Sequence, residues 1–325
     1  MLKNLYPLKF YPILKEKIWG GKKLDEIYNL KNITKLGECW ALSGLQDNES
    51  VVCNGELAGE TLSQLIDTYR DNLLGKSIYE KFGGNFPLLF KLIDADDKLS
   101  IQVHPNDTIS WERHKTFGKT EMWYIIDAEE DSELILGFAK DTTPSEFSSS
   151  LKNGTLELLL KKIKVRIGDV IFIPAGLVHA IGKGILLAEI QQSSDITYRV
   201  YDYNRKDDSG VERELHIEQA IDVINYKETE NPIVNYQNKR NEFVSLVNCN
   251  YFNVSFMEFS NIQFIDYEEI ENFAVLLCVQ GSFELKTSDF STMLKTGEAV
   301  LLPATTKVVQ LIPSQVSRIL ETFIF

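Results

Sequence analysis

Apolar and polar positions alternate with a period of two along most of this chain, and a helical period surfaces in only three stretches. Residues 1–53 read as short strands and turns, where Trp19 beside Gly20 and Gly21, and Gly37 close to Trp40, mark tight packing. A helix follows: Thr61 suits the N-cap, Leu62, Leu65, Ile66, Tyr69 and Leu73 share one face, and Gly75 suits the stop. Residues 86–103 return to strand character, and a strand pair is expected at 121–127 and 133–138. Next comes a helical insert in which Thr143, Pro144 and Glu146 hold the N-cap, first-turn proline and capping-box positions, and Asn153-Gly154 splits it into two short helices. Strands resume at 164–173 and 185–203, and Ile217, Ala220, Ile221 and Ile224 give an amphipathic helix over 214–225. The charged stretch 226–242 reads as a linker, and β patterning runs from 243 to the end.

One frame occurs twice. Gly168-Asp169 turns the chain, Val170 to Ile173 form a short core strand, Pro174-Ala175-Gly176 stop it, and His179 follows. Gly297 to Val308 repeat this frame without a gap, Gly297 matching Gly168, Pro303 matching Pro174, and Val308 standing where His179 stands. The strand 273–280 likewise echoes 121–128. The spacing from Gly168 to His179 resembles the second metal motif of the cupin family of small β-barrels. That resemblance implies a mainly β chain with short helices, built as two tandem cupin-like jelly-roll or β-barrel domains with the helical insert in the first. The boundary is expected near the linker, giving a metal-binding domain at 1–228 and a domain without ligands at 229–325.

Composition narrows the partners. The chain has 325 residues and a net charge of −13, which argues against nucleic acid or an anionic membrane surface. No apolar run approaches membrane-spanning length, and four cysteines without CxxC spacing indicate neither a thiolate site nor a disulfide scaffold. A reducing cytoplasm is the expected compartment, and the assembly is expected to be a monomer or homodimer.

On a strand, residues i and i+2 share a face, so Gln102 and His104 point the same way before Pro105 ends the strand. Glu121 opens the next strand, and His179 completes a set of two imidazoles, one carboxylate and one amide. Such a set suits one Zn²⁺ per chain, with Mn²⁺, Fe²⁺ and Co²⁺ left open by ligand type. With Glu121 as the only charged ligand, a divalent ion keeps a net positive charge and can polarise substrate oxygens. His114 reads as a solvated loop residue and His216 as a local contact at a helix start.

A closer resemblance joins these residues. Phe86 to Asp107, Gly118-Lys-Thr-Glu-Met-Trp-Tyr124, Gln191-Gln-Ser-Ser-Asp195-Ile-Thr-Tyr-Arg199, Trp19-Gly-Gly21 and Arg213-Glu-Leu-His-Ile217 resemble segments of the type I phosphomannose isomerases, in their short bacterial form. The resemblance covers most of residues 10–225. It implies zinc on Gln102, His104, Glu121 and His179, and conversion of mannose 6-phosphate to fructose 6-phosphate through a cis-enediol. Longer members carry His-Lys where this chain has Gly118-Lys119, so no role transfers from that histidine. Arg199, Lys119, Glu189 and Asp195 are the candidates for charge stabilisation and proton transfer, and Ser100, Lys119 and Arg199 for the sugar phosphate. Three other readings stand beside this one. A cupin oxygenase is weakened by Gln102 in place of a histidine, a non-catalytic sugar-phosphate binder would not need Lys119 and Arg199, and an isomerase of a related sugar phosphate stays open.

Overall fold

Strands dominate, as the alternation predicts. The computed structural model describes residues 3–30, 35–207 and 209–325, and within them seven short α-helices stand among antiparallel strand pairs. By packing, the chain forms two compact units, and both are discontinuous in sequence. The first comprises Lys15–Glu38 and Ile93–Ile233, and the second comprises Met1–Leu14, Cys39–Leu92 and Val234–Phe325. The 228/229 division follows the order of the repeats along the chain, whereas packing returns N-terminal segments to the second unit. There the Leu8–Lys9 strand pairs with Leu301 and Val300.

In the first unit, Val170–Ile173, Glu121–Ala128 and Ile185–Gln192 lie side by side. A five-stranded sheet runs in the order Tyr198–Tyr201, Ile101–Val103, His179–Ile181, Glu133–Phe138 and Leu160–Lys164. Alternation decides what each face does. Leu134, Leu136 and Ile181 pack with Trp123, Ile125, Ile171 and Leu187 in one core. Ile135 and Ala180, one residue off, pack outward with Phe147, Leu156, Ala220 and Ile224. The helical insert therefore covers the outer face of the five-stranded sheet. Its Pro144–Lys152 helix has the predicted capping box between Thr143 and Glu146, of the kind that stabilises a helix start by about 1 kcal/mol. After Asn153-Gly154 the chain makes a 3₁₀ turn, Leu156–Leu158, where a second short α-helix was expected. At 217–221 the helix is Ile217–Ile221, shorter at both ends than its apolar spacing suggests.

The second unit sets a sheet containing Ala299–Leu302, Ala274–Gln280, Ser317–Phe323 and Asn253–Phe259 against Gln263–Asp266, Val308–Pro313, Ser282–Lys286 and Ser291–Lys295. Apolar side chains such as Phe259, Leu276, Phe283, Val300 and Ile319 fill the space between them. Its helix at Leu62–Tyr69 has the Thr61 cap, but Arg70 at φ 49° breaks the predicted run before Asp71–Leu74.

The repeat holds hydrogen bond by hydrogen bond. Gly168 and Gly297 have φ 90° and 89°, a conformation glycine alone adopts without strain. Their amides donate to Ile125 O and Cys278 O at 2.9 and 2.8 Å, and Leu177 and Thr306 donate to Pro174 O and Pro303 O. His179 and Val308 each open the next strand. Register corrects the sequence alignment by one residue. Ile173 faces Glu121, and Leu302 faces Ala274, so Ala274, not Phe273, stands in the place of Glu121. Two rows away, Ile171–Trp123–Glu189 matches Val300–Leu276–Glu321. The second unit thus keeps the frame and replaces Glu121 and His179 with alanine and valine.

Candidate metal centre and active site

Three strand ends meet at one point. His104 follows Ile101–Val103, Glu121 opens Glu121–Ala128, and His179 opens His179–Ile181 with Gln102 as its cross-strand partner. One ligand atom from each of His104, Glu121 and His179 lies within 4.8 Å of the others, and all three side chains are buried.

The tautomers follow from the backbone. His104 Nδ1 donates to Ile196 O at 2.8 Å and His179 Nδ1 donates to Leu177 O at 2.9 Å, since a carbonyl can only accept. Each Nε2 therefore carries a lone pair. These point at the carboxylate: His104 Nε2 is 3.7 Å from Glu121 Oε2, and His179 Nε2 is 3.4 Å from Glu121 Oε1. Burial pushes the His179 imidazole down to about 4, so at neutral pH it is the neutral form that can ligate. Two lone pairs facing a carboxylate in a buried space repel one another, and a divalent cation resolves that repulsion. The donor set fits zinc, and both histidines already have the second hydrogen bond that orients a metal-bound imidazole. Gln102 reaches the same point, with Nε2 donating to His179 Nε2 at 3.4 Å while its carbonyl accepts from Ser100 Oγ at 3.5 Å.

The remaining sequence-derived residues divide by position. Lys119 is buried, with Nζ 3.3 Å from Glu121 Oε2. Glu189 is buried opposite Trp123, whose Nε1 donates to Glu189 Oε2 at 2.9 Å. Arg199 lies opposite Gln102, and its Nε donates to Ser100 Oγ at 3.3 Å. Burial, then the cations of Arg213 and Arg205, lower the affinity of this guanidinium for its proton, yet it stays charged at neutral pH. Asp195 is exposed, on the loop that supplies Ile196 O to His104. His114 ends the Asp107–His114 helix, where a loop was expected, and bonds Tyr198 Oη at 2.8 Å.

Four residues outside the sequence-derived set complete the surroundings. Trp123 fixes Glu189, and its position two residues after Glu121 on one strand is a signal available in the sequence. Asp107 Oδ1 accepts from the Gly118 amide at 2.7 Å and from Gln192 Nε2 at 2.8 Å. Gln192 Oε1 in turn accepts from the Thr120 amide at 2.9 Å, so both neighbours of Lys119 are tied down. Gly118 sits so close that an added Cβ would lie 2.5 Å from Asp107 N. A larger residue at 118 would therefore have to displace the Asp107 backbone. The fourth residue is His216, which no spacing rule connects to Arg199.

Comparison with known proteins identifies the family. Residues 8–149 match the family model described as phosphomannose isomerase type I, catalytic domain, and 242–314 match mannose-6-phosphate isomerase, cupin domain. The chain is 39% identical to mannose-6-phosphate isomerase ManA of Bacillus subtilis (strain 168), covering 91% of this chain and 93% of that protein. It is 38% identical to mannose-6-phosphate isomerase of Streptococcus mutans, covering 93% of each. The crystal structure of mannose 6-phosphate isomerase from Bacillus subtilis superposes with a TM-score of 0.88 at 34% identity, over 98% of this chain and 99% of that one.

Proposed function

This chain belongs to the type I phosphomannose isomerase family and is an isomerase, and on that premise we propose that it interconverts mannose 6-phosphate and fructose 6-phosphate. The observation that carries the metal reading is the pair of histidine tautomers, both with Nε2 directed at Glu121. His104, Glu121 and His179 would hold one Zn²⁺, with the Gln102 amide as fourth ligand after a half-turn about its last torsion. Bound there, the ion supplies positive charge that polarises sugar oxygens. Catalysis would then reside in the unit of Lys15–Glu38 and Ile93–Ile233, within the expected 1–228, while the repeated frame inside 229–325 would hold no metal.

The two sugars differ by a carbonyl at C1 or C2. Ring opening exposes it, a base takes the C2 proton to give a cis-enediol, and the proton returns at C1. Glu189 is assigned that proton, because its carboxylate is buried on the Glu121 side of the strand and held by Trp123. Lys119 offers a point charge, and Arg199 with Ser100 offers a planar fork and a hydroxyl, for the phosphate and the developing oxyanion. Asp195, exposed on the loop that supplies Ile196 O to His104, would exchange protons during ring opening.

Four free cysteines support a reducing cytoplasm, and the chain is expected to act as a monomer or homodimer. No helix among the described residues is long and apolar enough to cross a membrane. The test is a panel of sugar phosphates offered to zinc-loaded protein: mannose 6-phosphate should yield fructose 6-phosphate, while glucose 6-phosphate and ribose 5-phosphate should stay unchanged. Binding of mannose 6-phosphate without any product would overturn the isomerase reading.

A further inference from the structure

The Arg213–Ile217 motif supplies neither a ligand nor a base, yet it is fastened to Arg199. Arg199 lies in Tyr198–Tyr201, the edge strand of the five-stranded sheet, where one row of backbone groups lacks a neighbouring strand. At Arg199 that row is met by a single residue. The His216 amide donates to Arg199 O at 2.7 Å, and the Arg199 amide donates to His216 Nδ1 at 3.3 Å. Backbone and ring of His216 thus imitate the two partners that another strand would give. Two residues earlier, Glu214 O accepts from Arg199 Nη1 at 2.8 Å, while Ser100 Oγ accepts from Nε on the other side. The guanidinium is held between these two oxygens, and its backbone is held by His216.

We propose that His216 is a positioning residue for Arg199, presetting the guanidinium beside Ser100 before substrate arrives. This rests on the reading of Arg199 as a group that meets the sugar phosphate. His216 touches no reacting atom. It acts by removing freedom from the edge strand, and displacement of a charged donor by an ångström costs up to a hundredfold in rate. Its ring Nδ1 must accept, so the acceptor position matters more than ring shape. Asparagine places its Oδ1 at the reach of Nδ1, whereas glutamine places its oxygen one bond farther out.

Turnover of mannose 6-phosphate, bound zinc and Arg199 amide hydrogen exchange should be measured for wild type, His216→Ala, His216→Asn and His216→Gln. His216→Ala should lose about tenfold or more in kcat/KM with zinc unchanged, His216→Asn should recover most of it, and His216→Gln should not. In the Arg199→Ala background, His216→Ala should add nothing, because its effect runs through that side chain. Equal rates for the Ala and Asn variants, or multiplying losses in the double variant, would overturn the proposal. If wild type turned over no mannose 6-phosphate, the function reading would fail on its own. Exchange would still decide the clasp: the Arg199 amide should be protected in wild type and His216→Asn and exposed in His216→Ala, and equal protection in all three would remove it.

Discussion

Replacing Glu321, the counterpart of Glu189 in the second unit, by glutamine should remove most of the pH dependence of that unit's stability. Glu321 is 6% exposed and accepts from Tyr267 Oη at 2.6 Å. Burial pushes its carboxyl up from 4.5 to about 7, with the Tyr267 hydrogen bond pulling the other way. Between those two values the folded unit keeps a proton that the unfolded chain has released. Stability therefore falls as pH rises through that window, is undiminished below it, and bears the full cost above about 7. At about 1.4 kcal/mol per pKa unit, the cost is about 3 kcal/mol. Glutamine is neutral throughout and its oxygen still accepts from Tyr267. Urea unfolding, followed by amide exchange in Ala274–Gln280, should find the variant within about 1 kcal/mol of wild type near pH 5 and up to about 3 kcal/mol more stable near pH 8. The same difference at both pH values would refute the reasoning, because no proton would then be linked to folding.

Two further substitutions test the frame and the site. His179→Ala should reduce bound zinc from one equivalent per chain to near none, whereas Val308→Ala, at a half-exposed position, should leave it at one. Equal losses by plasma emission analysis would mean that the structural repeat has been misassigned. Gly118→Ala pushes a Cβ against Asp107 N, and such overpacking should cost about 1–3 kcal/mol in urea melts and lower turnover by moving Lys119. An unchanged melt would show that the 118–120 segment gives way freely.

How far the sequence spoke depended on whether a residue punctuates the chain. Gly168, Pro174, Gly297 and Pro303 enforce turns, so the repeated frame was legible to the residue. Between Phe273 and Ala274 nothing marks the start, and the strand alignment slipped by one, which on a strand exchanges the two faces. The helix after Thr61 was legible from its apolar face, but its break at Arg70 was not, since arginine carries no signal for positive φ. Discontinuity of the units escaped for a related reason: Leu8–Lys9 finds its partner nearly the whole chain away. In the site, i, i+2 spacing placed Gln102 and His104 on one face, while His179 and the ligand set as a whole were implied by the resemblance to the cupin and isomerase motifs. Asp107 and His216 act through hydrogen bonds to backbone and side-chain groups that the fold alone brings near.

On this reading the His104, Glu121 and His179 cluster holds the ion on which isomerisation depends. Chelator-stripped protein titrated with Zn²⁺, while fructose 6-phosphate formation from mannose 6-phosphate is followed, tests it most directly. The rate should climb in proportion to added zinc, reach its plateau at one equivalent per chain, and stay there. Full turnover before any metal is added, or one bound zinc with no turnover, would contradict it.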